Sequence, residues 1–209
     1  MRFTKDSMEK KYPVNEIFLS LQGEGANSGT PAVFVRFSGC NLKCPFCDTD
    51  HEGARMMTKE EILSEACSFG SVPPLTVLTG GEPSLFADSE LVRALHGTFT
   101  TVAMESNGTH EPPEGIDWLT ISPKSDFIAG AEPVVKKCDE LKVVFDGRND
   151  PAKWEKIISA SVHYVQPCDT GNPEENERII QGAVEFVKTH ARPTLWRLSL
   201  QLHKAINIR

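Results

Sequence analysis

Short β-branched and aromatic runs alternate with helix-periodic segments along most of this chain, and that alternation restricts the fold more than any other feature. Strand-like runs occupy 32–38 (AVFVRFS), 75–79 (LTVLT), 101–106 (TVAMES), 118–122 (WLTIS), 140–145 (ELKVVF), 162–166 (VHYVQ) and 195–200 (LWRLSL). Between them, Thr58-Lys-Glu-Glu61 reads as a capping box opening a helix toward Phe69, and 88–96, 151–160 and 173–189 carry helical spacing. Strand, helix, strand in series predicts βα units and a mostly parallel sheet. A chain of 209 residues can bury a real core but is short for eight βα units. The expected architecture is therefore α/β: an incomplete, modified (βα) barrel of about six parallel strands, in one domain spanning 1–209.

Active sites in parallel sheets gather at the carboxyl ends of the strands. Five unusual loops follow predicted strands here. A cysteine run starts at Cys40, Gly80-Gly81-Glu82-Pro83 follows LTVLT, and Asn107-Gly108 follows TVAMES. Pro123-Lys124 follows WLTIS, and Pro167-Cys168-Asp169 follows VHYVQ. One edge of the sheet should collect all five.

Charge excludes some partners. The net charge is -7 and no block of Lys or Arg stands out, which argues against duplex nucleic acid or an anionic membrane as partner. No apolar run approaches the roughly 20 residues needed to span a bilayer, and the first residues, MRFTKDSMEKKYP, show no secretory leader. The expected compartment is the cytoplasm.

Three of the six cysteines, Cys40, Cys44 and Cys47, form a CxxxCxxC loop. With no sign of secretion, metal or redox chemistry is a better reading than a disulfide framework. A four-iron cubane normally takes four thiolates. Three protein ligands leave one iron open to an outside molecule, such as the amino acid end of S-adenosylmethionine. The competing reading is structural zinc, with His51 as fourth ligand. It lacks a second CxxC knuckle, and its spacing is a poor match to zinc fingers. Cys67 and Cys138 read as ordinary small apolar residues.

The chain resembles the radical S-adenosylmethionine superfamily through CNLKCPFC and GGEP, and within it the 7-carboxy-7-deazaguanine synthase family of queuosine biosynthesis. The narrower likeness rests on SLQGEG (20–25), the CDT at 47–49 and the QLHK ending (201–204), and runs from about Val14 to the last residue. Residues 1–13 precede the family's usual start. The resemblance implies conversion of 6-carboxy-5,6,7,8-tetrahydropterin to 7-carboxy-7-deazaguanine with loss of ammonia, through hydrogen abstraction at C6 and ring contraction. It implies a [4Fe-4S] cluster on Cys40, Cys44 and Cys47, S-adenosylmethionine used as a regenerated cofactor, and Mg²⁺ on Thr49. It also implies a homodimer and an electron donor such as flavodoxin or ferredoxin.

Carried over residue by residue, the resemblance implies that Leu21, Gln22, Gly23, Arg36, Thr79 and the terminal Arg209 contact substrate. Phe46, Cys47, Asp48, Gly81, Ser122, Pro123, Lys124, Gln166, Pro167, Cys168 and Asp169 would surround S-adenosylmethionine. These residue types suit the task. Arg supplies forked donors for a carboxylate, Thr a hard oxygen for Mg²⁺, and Gly a close backbone approach. Duller roles compete: Arg36 as a solvent-facing charge, Thr49 as a turn cap, His203 as a structural histidine, and Glu24 and Glu82 as carboxylates that orient backbone donors.

Overall fold

A computed structural model describes residues 9–49, 53–190 and 194–208. Among the described residues nine strands form one sheet: β1 (Tyr12–Leu21), β2 (Pro31–Phe37), β3 (Arg55–Met57), β4 (Leu75–Gly80), β5 (Thr101–Ser106), β6 (Trp118–Ile121), β7 (Lys137–Phe145), β8 (Ser159–Pro167) and β9 (Trp196–Leu198). Their order is β3-β1-β2-β4-β5-β6-β7-β8-β9. From β2 through β4 to β9, seven described strands run parallel, one for each strand-like run and one more than the barrel of about six expected. The antiparallel flank of β1 and β3 was not foreseen. Its strands carry Pro13, Asn15 and Arg55, which weaken the β-branched signature read elsewhere. Tyr12 and Pro13, the last two residues of the 1–13 stretch, already belong to β1, and the Tyr12 hydroxyl donates to Asp88 Oδ1 at 2.9 Å.

Four α-helices among the described residues accompany the sheet: α1 (Lys59–Ala66), α2 (Ser89–His96), α3 (Pro173–Thr189) and α4 (Leu202–Ala205). The capping box is present: the Glu61 N–H donates to the Thr58 hydroxyl at 3.2 Å, and the Thr58 N–H to Glu61 Oε2 at 2.7 Å. The helix expected over 151–160 is corrected. Pro151–Lys156 forms 3-10 turns, and β8 starts at Ser159, whose N–H is taken by the Lys136 carbonyl at 2.9 Å. The edge of β7 thus captures the chain before a helix can extend.

Period-2 alternation sorts the strands into two faces. Val33, Val35, Phe37, Leu78, Met104, Leu141 and Val143 face a large core, with Ile62, Ala66, Leu91, Leu95, Ile179 and Ala183 supplied by α1, α2 and α3. Phe18, Ala32, Phe34, Leu75, Val77 and Ala103 make a smaller cluster on the opposite face. Continuing that parity puts Arg36 after Phe34, Thr79 after Val77 and Glu105 after Ala103. These polar residues sit where the inner face meets the strand ends. Cys138 is buried in β7 and its thiol is pushed up to about 12 by that burial, whereas Cys67 caps α1 and is exposed.

Candidate active site

A cavity of about 760 Å³ opens at this edge of the sheet. Every site residue expected from the sequence lines it except Pro123, which is buried outside its lining, and Arg209, which lies outside the described residues. The cysteine loop leaves β2 through Gly39, at φ +95, and the Gly80-Gly81 turn after β4 packs directly on it. The Glu82 N–H donates to the Gly39 carbonyl at 3.0 Å, and a Cβ on Gly81 would lie 1.9 Å from that same oxygen. Glycine at 81 is thus demanded by the cysteine loop itself.

Cys40, Cys44 and Cys47 all face the cavity. Burial raises the Cys40 and Cys44 thiols, while the Leu42 N–H favours the Cys40 thiolate and Lys124 lowers both. Lys124 is anchored by the Ser122 carbonyl and hydroxyl, each at 2.6 Å. Among the described residues no three His, Cys, Asp or Glu side chains are grouped about a single point, and His51, the fourth ligand of the zinc reading, lies outside the described residues. Three thiols on a glycine-bordered loop, with a cation beside them, are a donor set that fits an open iron–sulfur cluster. Phe46 is held edge-on to Phe127, with centroids 4.8 Å apart.

Glu82 locks the next loop. It is 1% exposed and accepts from the Ser106 hydroxyl at 2.8 Å and the Asn107 N–H at 2.7 Å. Its duller reading, a carboxylate that orients donors, is the one realised. Arg36 is no solvent-facing charge: it is half-buried, donates to Glu16 Oε1 at 2.9 Å and the Thr49 hydroxyl at 3.3 Å, and lies 5.6 Å from the Phe18 ring. Thr49 keeps a second lone pair for another partner. Asp169 accepts from Lys204 at 2.8 Å, Asn176 at 2.7 Å and the Gly171 N–H at 3.0 Å, which together hold its carboxyl well below the usual range.

The cavity's second source is unexpected. Leu21 pairs with Pro31, so the β1–β2 hairpin starts at the amino end of β2, away from the strand-end loops. Its loop nevertheless carries Gln22, Gly23 and Glu24 into the same cavity. The Gln22 amide donates to Glu105 Oε1 at 2.7 Å, and Lys142 joins Glu24 at 2.6 Å to Glu105 at 2.8 Å. The C-terminal segment closes over this loop: Leu202 donates to the Gly23 carbonyl at 2.9 Å, and Gln201 to Glu24 Oε1 at 3.1 Å.

Known proteins resemble this chain in sequence and in fold. Residues 34–125 match the model of the radical SAM superfamily. A 7-carboxy-7-deazaguanine synthase from Bacteroides thetaiotaomicron is 46% identical over 94% of this chain and 98% of its own length. One from Burkholderia multivorans is 38% identical, covering 94% of this chain and 99% of its own. The chain belongs to the 7-carboxy-7-deazaguanine synthase family. In fold it is similar to the crystal structure of QueE from Escherichia coli, with a TM-score of 0.76, 24% identity, and coverage of 97% of this chain and 100% of that one.

As a radical SAM enzyme, this family member works with a [4Fe-4S] cluster and S-adenosylmethionine. The cavity of this 7-carboxy-7-deazaguanine synthase family member also includes Glu105 and Lys142, which the sequence reading passed over. A signal existed. Each is a charged residue on the inner-face parity of its strand. What the sequence did not carry is that β5 and β7 bring them together.

Proposed function

We propose that the chain converts 6-carboxy-5,6,7,8-tetrahydropterin to 7-carboxy-7-deazaguanine with release of ammonia, as a step toward queuosine. The observation that supports this most is the convergence of the three-thiol loop and the Leu21–Gly23 hairpin on one cavity large enough for cofactor and pterin together. Cys40, Cys44 and Cys47 hold the cluster in this reading. When bound, cluster and S-adenosylmethionine supply a carbon radical that removes hydrogen from C6 of the substrate.

The chain's own residues bind and orient. Phe46, Asp48, Gly81, Ser122, Lys124, Gln166, Pro167, Cys168 and Asp169 wall the cofactor's side of the cavity, with Pro123 behind them. Leu21, Gln22, Gly23, Arg36 and Thr79 wall the substrate's side, and Arg36 offers its fork to the substrate carboxylate. Gln22 contributes less than its side chain suggests. One N–H is given to Glu105 and its oxygen accepts from Glu24, leaving one N–H and one lone pair. Thr49 would offer its hydroxyl to Mg²⁺, a hard cation that takes oxygen ligands. Arg209, a homodimer, flavodoxin or ferredoxin as reductant, and a cytoplasmic setting complete the reading. Among the described residues no helix is long and apolar enough to cross a membrane.

Anaerobic incubation with 6-carboxytetrahydropterin, S-adenosylmethionine, reductant and Mg²⁺ should yield the deazapurine and ammonia. S-adenosylmethionine cleavage with no deazapurine would remove the substrate assignment. Omitting Mg²⁺ in a chelated buffer should lower turnover at least several-fold, and unchanged turnover would remove Mg²⁺ from the site.

A further inference from the structure

Lys142 has the least ordinary environment in the molecule for a residue with no role in the reading above. It stands on β7, its side chain is 4% exposed, and two carboxylates from separate elements meet it, Glu24 at 2.6 Å and Glu105 at 2.8 Å. Burial works against its charge, but Glu105, Glu24 and Glu140 outweigh that penalty and hold the ammonium protonated. The same pairing, helped by Gln201, keeps Glu24 below the usual carboxylate range although burial pushes it upward.

The contacts form a closed ring. Lys142 donates to Glu105 Oε2, Gln22 Nε2 donates to Glu105 Oε1, the Glu24 N–H donates to Gln22 Oε1 at 3.3 Å, and Glu24 Oε2 returns to Lys142. The ring includes a backbone N–H of the hairpin loop, so it holds that main chain as well as its side chains. It also decides which way the Gln22 amide points, because Glu105 can only accept. A branch from Glu24 to Gln201 ties in the C-terminal segment.

We propose that Lys142 is a positioning residue for substrate: its ammonium holds Glu24, Glu105 and the Gln22 amide in the one arrangement that sets the substrate-side loop. Without it, Glu24 and Glu105 lose the ammonium that hydrogen-bonds to both, and their repulsion opens the loop between β1 and β2. The ring's branch through Gln201 reaches Asp48 at 3.4 Å, but none of the four ring residues is among those given to the cofactor above. Loss of Lys142 should therefore act on substrate binding and spare the cofactor. This rests on the pterin reading, which wild-type turnover decides by itself.

The test compares wild type with Lys142→Met, which keeps the apolar stem and removes the charge, and with Glu24→Gln, which alters one arm of the ring at nearly constant shape. Leaving a buried carboxylate without its partner corresponds to about ten-fold in binding. Lys142→Met should raise KM for the tetrahydropterin, and the Kd of the fluorescent oxidised analogue 6-carboxypterin, by about that factor. Its kcat and its affinity for S-adenosylmethionine should stay within about three-fold of wild type. Adding Glu105→Gln to Lys142→Met should weaken binding by less than the sum of the single changes, because both act through one ring. Folded Lys142→Met with unchanged KM, or with kcat lowered alone, would overturn the proposal, as would strict additivity. Should Lys142→Met fail to fold, Glu24→Gln decides: an unchanged melting temperature with a several-fold higher KM supports the ring, and unchanged KM sinks it. A wild type that forms no product removes the pterin reading instead.

Discussion

Gly81 illustrates how a residue of this site is constrained from two sides. Its sequence context implied a backbone brought close to a cofactor. In the fold, the first thing an added methyl would strike is the Gly39 carbonyl, 1.9 Å from the Cβ position. That oxygen is a backbone atom and cannot swing away. Gly81→Ala should therefore shift the cysteine loop, so we expect purified protein with less than about half the wild-type iron per chain and a matching loss of cluster absorbance. Full iron content in a folded Gly81→Ala protein would show that the loop tolerates the shift. Cys44→Ala should abolish the cluster outright, since two remaining thiols cannot hold a cubane, whereas Cys67→Ala, at an exposed helix cap, should leave iron content unchanged.

At the scale of elements, the short C-terminal stretch through α4 behaves as a fastening across the site. Lys204 reaches Asp48 at 3.1 Å, one residue beyond the cysteine loop, and Asp169 at 2.8 Å, beyond β8. His203 packs so closely on the hairpin that a Cβ on Gly23 would come within 2.3 Å of its Nδ1. The ion pairs are largely solvent-exposed and contribute little to stability. Their effect is geometric: they hold three loops from distant parts of the chain against one another. Gly23→Ala should loosen this fastening, raising KM for the substrate by about ten-fold with little change in melting temperature. Steady-state kinetics alongside a thermal melt would check it, and a large drop in melting temperature at unchanged KM would refute it.

Across the whole molecule, stability and chemistry are carried by opposite faces of one sheet. The large core lies between the strands and α1 to α3, and the cysteine loop, without regular secondary structure, touches it through Phe46. Removing iron with a chelator should leave the far-ultraviolet circular dichroism and cooperative unfolding essentially intact while ending activity. Loss of cooperativity on iron removal would mean that the loop supports the core. The converse change is Leu78→Ala, at a side chain fully buried in β4. It should cost about 2–5 kcal/mol in denaturant unfolding. Protein that remains folded should still take up iron.

The succession of the central strands along the chain, their parallel direction and the strand-end loops were legible in the sequence. Periodicity and turn chemistry are local properties, and CxxxCxxC brings its three ligands together within one loop. The family likeness extended that reading to about half of the residues that line the cavity, including Arg36 and Thr79 on the inner parity of β2 and β4. Tertiary structure alone decided the rest. The antiparallel β1 turned the Gln22 loop into the site from the opposite end of β2, and parallel pairing brought Glu105 of β5 and Lys142 of β7 to one buried point. The ring they form joins residues 22, 24, 105 and 142. No local pattern encodes such a contact, because its energy comes from charges that meet only after the sheet has closed around them.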